Sequence, residues 1–335
     1  MLNIANKVEE IASSRLEDLT DELLTSQKPI ILRGLVNHWE LTKKGKISDD
    51  SARQYINSFY NDKPVHTLIA PAEVKGRYFY NDDLSGFNFE RKNTSLSNVL
   101  EEIISQSKQK YSKTQYVGST SVDYILPGFR NKNDIPKLKE SSLVSIWIGN
   151  QSRIAAHYDI PDNLACTVVG KRRFILFPPA QLENLYIGPL DFTPAGQPAS
   201  LIDLHNPDFE KFPKFREAIK NAQVAELEAG DAIFIPSMWW HHVESLSQFN
   251  VLINYWWRQV GLYMGAPLDA LNHALLSIKD LPEEQREAWR NVFDYYIFSP
   301  QEQNHIPQEK RGVLNPIDEN LARQLRALLL NRLNR

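Results

Sequence analysis

The sequence predicts a mainly β protein with flanking helices. Between residues 115 and 262, short runs of β-branched and aromatic residues recur, separated by Gly, Pro, Asn and Asp. This pattern is typical of an antiparallel sandwich or barrel. On either side of it the apolar residues repeat at helical spacing. With 335 residues, 42% of them hydrophobic, the chain divides into an N-terminal flanking region (residues 1–114), a β core (residues 115–262) and a helical segment (residues 263–335).

The N-terminal flanking region is predicted to combine helices and strands. Residues 4–27 carry apolar side chains at roughly helical spacing, which predicts a helix. The short apolar run "PIILRGLV" at 29–36 ends in a turn and predicts a strand. Two further runs each begin with a capping residue and continue with helical periodicity, so helices are expected at about 49–59 and 95–107.

The β core is predicted from seven strand-like runs, which are "QYVGS", "LVSIWIG", "IAAHYD", "LACTVVG", "RRFILFPP", "AIFIPS" and "NVLINYWW". Their length and residue types are those of buried strands. A segment at about 188–222, rich in Pro, Asn and Phe, interrupts the series. We expect this insert to lie over the mouth of the barrel.

Three helical runs follow residue 264, and the last one carries an apolar stripe. Leucines at positions 321, 325, 328 and 329 recur at i, i+4, i+7 and i+8. The stripe could pack against its own domain or against a second copy of the chain. Because the helices lie outside the barrel, we expect a homodimer formed through residues 263–335.

Composition limits the classes of partner. The net charge of −3 does not predict a surface for nucleic acid. The single cysteine, Cys166, excludes an intrachain disulfide and fits a reducing compartment. The N-terminus has acidic residues and lacks the apolar core of a signal peptide, and no apolar run approaches the roughly 20 residues of a membrane helix. We therefore expect a cytoplasmic protein with neither a nucleic-acid nor a membrane partner.

Three residues suggest a metal site. His157 and Asp159 are two apart, so in a strand they face the same side, and "DAIFIPSMWWH" ends in His241. Two histidines and one carboxylate form the facial triad of non-haem Fe(II) oxygenases, although Zn or Mn could also bind them. Strand phase does not decide between His241 and His242. The remaining histidines have no ligand-spaced neighbours and are interpreted as structural: His38, His66, His205, His273 and His305.

Three blocks of sequence together resemble a known family. They are "HYDIPDNLACTVVGKRRFILFPPAQLENLY", "GDAIFIPSMWWHHVES" and "NVLINYWW", and they are similar to the JmjC, or cupin-8-like, 2-oxoglutarate oxygenases, especially the branch with the asparaginyl hydroxylase that inhibits hypoxia-inducible factor. The resemblance is densest over residues 143–257. It implies a double-stranded β-helix of the jelly-roll type. It also implies Fe(II) held by His157, Asp159 and His241, with 2-oxoglutarate as cosubstrate and O2 as oxidant.

The resemblance also implies which side chains hold the cosubstrate. The family's contact residues fall on Tyr116, Asn163, Arg172, Asn254 and Trp256. Asn254 and Trp256 share one face of their strand, as such a role requires. The alternative interpretation of both is an aromatic core with a satisfied polar residue.

Two positions depart from the family pattern. Arg172 stands where the family has a lysine that pairs with the distal carboxylate of 2-oxoglutarate, and arginine can pair with a carboxylate in bidentate fashion. Strand alternation places Arg172 and Phe174 on one face, and Lys171 and Arg173 on the other. Ile154 replaces a family threonine whose hydroxyl would bind the same carboxylate.

We therefore expect an Fe(II)- and 2-oxoglutarate-dependent dioxygenase. Its substrate would be a C–H bond of an amino-acid side chain in a protein or peptide, or of a small molecule. Trp147 and Trp239 are predicted to wall the substrate pocket, with core packing as the alternative. Lysine demethylation is less expected, because no cage for a methylated cation is evident. Two other functions stay open: a non-catalytic, metal-binding regulatory protein, and a metal-dependent cupin enzyme that does not use 2-oxoglutarate.

Overall fold

The computed structural model describes residue 2 and residues 4–13, 19–107, 113–138, 142–194, 196–299 and 303–334. The chain forms two compact units, Met1–Arg258 and Gln259–Arg335. The first unit holds the strands and the second is helical. None of the described helices is long and apolar enough to cross a membrane.

The first unit is built on two sheets. Its strands are β1 Asn6–Lys7, β2 Glu9–Ala12, β3 Ile30–Arg33, β4 Val65–Ala70, β5 Arg77–Tyr78, β6 Glu90–Thr94, β7 Thr114–Ser121, β8 Leu143–Gly149, β9 Ser152–His157, β10 Asp162–Val169, β11 Arg172–Phe177, β12 Gln223–Leu227, β13 Ala232–Ile235, β14 Trp240–Ser245 and β15 Asn250–Trp257. One sheet has six strands in the order β1-β12-β11-β14-β9-β5. The other has nine, in the order β2-β3-β13-β10-β15-β8-β7-β4-β6.

Strands β8 to β15 confirm the predicted double-stranded β-helix. Four of them, β8, β15, β10 and β13, are neighbours in the nine-stranded sheet. The other four, β9, β14, β11 and β12, are neighbours in the six-stranded sheet. Because consecutive strands mostly alternate between the sheets, their inward side chains face each other across a jelly roll. Strand β12 is absent from the predicted runs; it directly follows the insert.

The first five helices of the first unit pack on the nine-stranded sheet, and the sixth packs on the six-stranded sheet. They are α1 Asp21–Leu24, α2 Glu40–Ile47, α3 Asp49–Asn57, α4 Leu96–Gln106, α5 Val122–Ile125 and α6 Phe215–Asn221, and α3 and α4 confirm the helices predicted at 49–59 and 95–107. A large apolar cluster packs α3 and α4, through Ile56 and Leu100, against sheet residues such as Ile146 and Ile253. Burial of this cluster stabilises the nine-stranded sheet on the face that packs against the helices.

The helix predicted over residues 4–27 is wrong. Residues 6–7 and 9–12 are strands, the described helix begins only at Asp21, and residues 14–18 lie outside the described ranges. Strand β2 pairs in parallel with β3, and Ile11 packs on the large cluster. The backbone hydrogen bonds of the sheet thus outweigh the helical spacing of a few apolar residues.

The second unit confirms the helices predicted after residue 264. They are α7 Pro267–Ser277, α8 Glu283–Phe293, followed by a π-helical turn Asp294–Phe298, and α9 Glu319–Leu333. Among the described residues of this unit only Ala322 is buried. Large apolar side chains stand exposed on all three helices, including Leu276, Trp289 and Leu330.

Candidate metal centre and active-site cavity

Neighbouring strands bring the three predicted metal ligands together. His241 on β14 lies directly opposite His157 at the end of β9, and their ring centroids are 4.4 Å apart. Asp159 follows two residues after β9, with its Oδ2 3.5 Å from Nε2 of His241. The candidate ligand atoms of all three residues lie within 4.8 Å of one another. The structure places His241 in this group, whereas His242 points to the opposite side of β14.

Backbone carbonyls orient both imidazoles of the triad. Nδ1 of His157 lies 2.9 Å from the carbonyl oxygen of Ala155, and Nδ1 of His241 lies 2.9 Å from that of Trp239. Because a carbonyl only accepts, each Nδ1 carries the proton and each Nε2 keeps its lone pair. This is the tautomer that a histidine needs to bind a metal through Nε2.

Burial keeps His157, the first of the three predicted ligands, neutral. Burial and the neighbouring His241 lower the pKa of His157 to about 4, while Asp159 opposes the shift. An imidazole must be unprotonated to coordinate a metal. The environment of His157 therefore favours the form that binds.

Two hydrogen bonds join the segment after β9 to the residues just before β14, the strand that carries His241. The backbone N–H of Met238 donates to the carbonyl of Asp159 at 2.9 Å, and that of Ser237 donates to the carboxylate of Asp162 at 2.9 Å. Met238 has a φ of 67°, in the left-handed region that favours glycine. This strained backbone is held between the loop after β9 and the start of β14, where it fixes the spacing of Asp159 and His241.

The carboxylate of Asp159 is held by two side chains that the resemblance assigns to the cosubstrate. Asn163 Nδ2 and Trp256 Nε1 each donate to its Oδ2 at 3.1 Å. Asn254 continues the chain of contacts, since it donates to Asn163 at 3.4 Å and accepts from Trp147 at 2.6 Å. Asn163 and Trp256 therefore orient the carboxylate of Asp159, and Asn254 supports Asn163.

We expect Trp256→Phe to weaken metal binding about 10- to 100-fold, because it removes a hydrogen bond to a metal-ligating carboxylate and keeps the aromatic bulk. Titration of the metal-free protein with Fe(II) under anaerobic conditions measures this affinity. The control is Trp257→Phe, because Trp257 is adjacent but stacks on Phe234, away from Asp159. Equal affinities for the two variants would refute the role assigned to Trp256.

The triad opens into a cavity of about 770 Å³ between the two sheets. Its lining includes nine of the ten side chains predicted for the site: Tyr116, Trp147, His157, Asp159, Asn163, Arg172, His241, Asn254 and Trp256. The expectation that Trp239 walls the cavity is wrong. Its indole N–H donates to the carbonyl of Gln27 at 3.1 Å, and its ring packs in an apolar cluster beside Ile31. Trp239 precedes β14, so its side chain does not follow the alternation of that strand.

Arg172 lies buried in this cavity, with only 2% of the residue exposed. Its Nε and Nη2 atoms are buried and have no hydrogen-bond partner among the described residues. Burial lowers the pKa of Arg172, and nearby Tyr116 partly offsets that effect. On the opposite face, Lys171 pairs with Glu228 and Arg173 with Glu226. A buried guanidinium without an anion is costly, so this cavity is suited to a ligand with a carboxylate.

Tyr116 lies close to this arginine and lines the same cavity. Burial raises the pKa of Tyr116 to about 12, and Asp159 adds to the shift while Arg172 opposes it. The phenol therefore stays a hydrogen-bond donor at neutral pH. Ile154, which replaces the family threonine, lines the same cavity with an apolar side chain.

The outer region of the cavity was not predicted from the sequence. It is lined by His66 on β4, Arg91 on β6, and Asp191 and Phe192 of the insert. Phe192 stacks on Phe87 with ring centroids 4.6 Å apart. His66 is therefore at the cavity and not merely structural. The alternation in "VHTLIA" at 65–70 could have identified β4 as a strand. Only the folded chain shows that the face of β4 with His66 and Leu68 lines the cavity.

Together the jelly roll and its His-Asp-His cluster define a cupin-type fold with a candidate metal centre. The family described as "Cupin-like domain" matches residues 16–262, and the chain belongs to that family. This match includes all residues that line the cavity and every strand from β3 to β15.

Relatives of the chain include named enzymes. Mouse "tRNA wybutosine-synthesizing protein 5" is 31% identical over 309 residues, covering 81% of this chain and 89% of the relative. "Lysine-specific demethylase 8" of Xenopus tropicalis is 26% identical over 250 residues, covering 72% and 51%. "Lysine-specific demethylase JMJ31" of Arabidopsis thaliana is 34% identical over 121 residues, covering 36% and 22%. The chain thus spans about half or less of the two demethylases, and these relatives bear out the resemblance to JmjC-type oxygenases.

Proposed function

We propose that the chain is an Fe(II)- and 2-oxoglutarate-dependent dioxygenase that hydroxylates a substrate C–H bond. The observation that carries the proposal is the buried guanidinium of Arg172, unpaired at two nitrogens among the described residues, in the cavity of the His-Asp-His cluster. A dicarboxylate that reaches from the metal to Arg172 would satisfy both.

Each region of the cavity has a role in this proposal. His157, Asp159 and His241 would hold Fe(II), whose preference for two histidines and a carboxylate on one face fits their donor atoms. Arg172 would pair with the distal carboxylate of 2-oxoglutarate, and the Tyr116 hydroxyl would donate to it. With Ile154 offering no hydroxyl, Arg172 takes over a larger share of this binding than the family lysine would.

When bound, Fe(II) and 2-oxoglutarate supply the oxidising power: O2 inserts one oxygen atom into the substrate C–H, and the other enters succinate as CO2 leaves. The chain's own residues orient the reactants and limit water. Asn163 and Trp256 hold the Asp159 carboxylate in place. The indole of Trp147 stands edge-on to that of Trp256, with ring centroids 5.7 Å apart, and so helps to hold Trp256 in this position.

The direct test is conversion of 2-oxoglutarate to succinate by the full chain with Fe(II), ascorbate and O2. We expect slow turnover without added substrate, which stops when either Fe(II) or 2-oxoglutarate is left out. Bound iron without any succinate and without 2-oxoglutarate binding in calorimetry would favour the non-catalytic regulatory protein. An oxidation that proceeds without 2-oxoglutarate would favour a different cupin enzyme.

For the substrate we propose an amino-acid side chain in a protein or peptide, or a small molecule. A modified base in a tRNA is a second candidate, favoured by the similarity to the mouse wybutosine protein over most of both chains. The net charge of −3 favours the first candidate. Mass spectrometry of peptide and tRNA pools after incubation with the enzyme separates them: a gain of one oxygen atom identifies the class.

The buried position of the lone cysteine, Cys166, supports our expectation of a reducing, cytoplasmic compartment. A reporter fusion of the chain, viewed by fluorescence in its own cell, would test that expectation. Fluorescence found outside the cell would contradict the expected cytoplasmic location.

We propose that the chain is a homodimer through its second unit. Helix α9 exposes Leu328, Leu329, Leu330 and Leu333 by 46–62%, and exposed apolar faces of this kind mark interfaces. We expect the double substitution Leu328→Glu and Leu329→Glu to raise the dimer dissociation constant at least about a thousandfold, because each leucine acts twice in a two-fold dimer.

Sedimentation of the full chain over a range of concentrations measures this change. The control is Leu182→Glu, which places the same charge on a leucine of the first unit that is 55% exposed. A wild-type chain that sediments as a monomer, or a double variant that remains a dimer, would contradict the interface.

A further inference from the structure

A second group of metal-binding side chains lies on the other face of β14. Along this strand His241 points to the cavity, so His242 and Glu244 point away from it. His205 of the insert reaches the same place. The candidate ligand atoms of these three residues also lie within 4.8 Å of one another, although the sequence placed His205 among the structural histidines.

The three side chains converge on one oxygen atom. Nε2 of His205 lies 2.5 Å, and Nε2 of His242 lies 3.1 Å, from Oε1 of Glu244. The other oxygen, Oε2, is 3.3 Å from Nη1 of Arg173. Arg173 thus fixes the carboxylate by one oxygen and leaves the second one to the two imidazoles.

The loop that carries His205 is itself braced. The backbone N–H of His205 donates to Oδ1 of Asp203 at 3.0 Å, and Nη1 of Arg153 on β9 lies 3.2 Å from the same oxygen atom. Arg77 on β5 lies 3.8 Å from the other oxygen of Asp203. Asp203 and Glu226 offset two of the three nearby arginine charges, and Glu244 itself pairs with Arg173.

We propose that His205, His242 and Glu244 form a second divalent-cation site, suited to Zn²⁺. Two imidazole nitrogens and one carboxylate oxygen are a donor set that zinc takes in proteins, with water in the fourth position. The side chains of His242 and Glu244 are 6% and 3% exposed, whereas that of His205 is 35% exposed. The ion would therefore be reached by solvent from the side of the insert.

A metal ion at this site would link the insert, through His205, to β14 of the six-stranded sheet, through His242 and Glu244. Just before His205, Ala199 forms a β-bridge with His157, and the Ser200 N–H donates to the carbonyl of Ala156 at 2.8 Å. Asp191 and its neighbours in the same insert line the cavity. A zinc ion between insert and β14 would stabilise this wall without entering the cavity.

The test is zinc binding by the full chain after the triad has been disabled. In the double variant His157→Ala and Asp159→Ala only His241 of the triad remains. After metal removal and titration with Zn²⁺ alone, we expect this triad-deficient protein to bind about one zinc per chain. Adding His205→Ala should abolish that binding, and so should Glu244→Gln, which keeps the shape of the side chain.

The matched control adds His273→Ala, an exposed histidine on α7, to the triad-deficient protein and should leave zinc binding unchanged. Co²⁺ gives an independent readout, since a four-coordinate site absorbs strongly in the visible range and should lose that band with His205→Ala. Thermal unfolding without metal shows whether each variant is folded. A triad-deficient protein that binds no zinc, or that keeps it after His205→Ala, would overturn the proposal.

Discussion

Asp159→Ala should reduce succinate formation to background and weaken Fe(II) binding on the order of several hundredfold. Four-ligand zinc sites bind with about 10–16 kcal/mol, so one ligand is worth roughly 3–4 kcal/mol. Asp159 is the charged member of the triad, and Asn163 and Trp256 both donate to it. Its loss therefore leaves two buried donors without their acceptor as well.

Anaerobic Fe(II) titration and the succinate assay together measure this effect. The control is Asp191→Asn, because Asp191 lines the same cavity outside the ligand group and should leave Fe(II) affinity unchanged. If Asp159→Ala binds iron as the wild type does, the metal lies elsewhere. If wild type and variant make succinate at equal rates, the triad has no role in catalysis.

Arg172→Met should raise the KM for 2-oxoglutarate at least about 100-fold, because it removes two hydrogen bonds to a charged group. Hydrogen bonds to charged groups are worth about 1.5–3 kcal/mol each, and roughly 1.4 kcal/mol corresponds to tenfold. The KM of Arg172→Lys should lie between that of the wild type and that of Arg172→Met, since lysine keeps the charge but lacks the fork of two donors. The rate at saturating 2-oxoglutarate should change less than KM, because the distal carboxylate is remote from the bond that breaks.

Lys171→Met is the neighbouring control, since Lys171 is exposed and pairs with Glu228 on the other face of β11. The thermal stability of the ligand-free protein provides a second readout. We expect it to be unchanged or raised in Arg172→Met, because methionine removes a buried and unpaired charge. An unchanged KM would show that Arg172 serves another ligand, and a lower stability would show that it is a structural residue.

Much of the fold could be predicted because its signals are local. Buried strands such as β10 and β15 are continuous apolar runs, and alternation put Arg172 and Lys171 on opposite faces of β11, as the structure has them. The two helices at 49–57 and 96–106 carry caps and periodicity within a few residues. Local signals fail for residues 4–13, where pairing with the distant β3 decides the conformation.

The candidate site was partly predictable for the same reason. His157 and Asp159 form a motif, and the resemblance added residues at matching positions. The outer cavity and the second cluster were not predictable, because they join residues far apart in the chain. His205 and Glu244 share no motif, and the choice between His241 and His242 depends on which face of β14 meets the cavity, which no spacing in the sequence reveals.

The order of the strands also bears on how the chain folds. His157 ends β9 and His241 lies on β14, and these neighbours in the sheet are separated in the chain by β10 to β13 and the whole insert. Closing so long a loop is slow and comes late on the folding pathway. A metal that joins these two strands therefore arrives after the rate-limiting step, so it should slow unfolding while leaving the rate of folding almost untouched. An ion bound in this way would stabilise the completed jelly roll without speeding its formation.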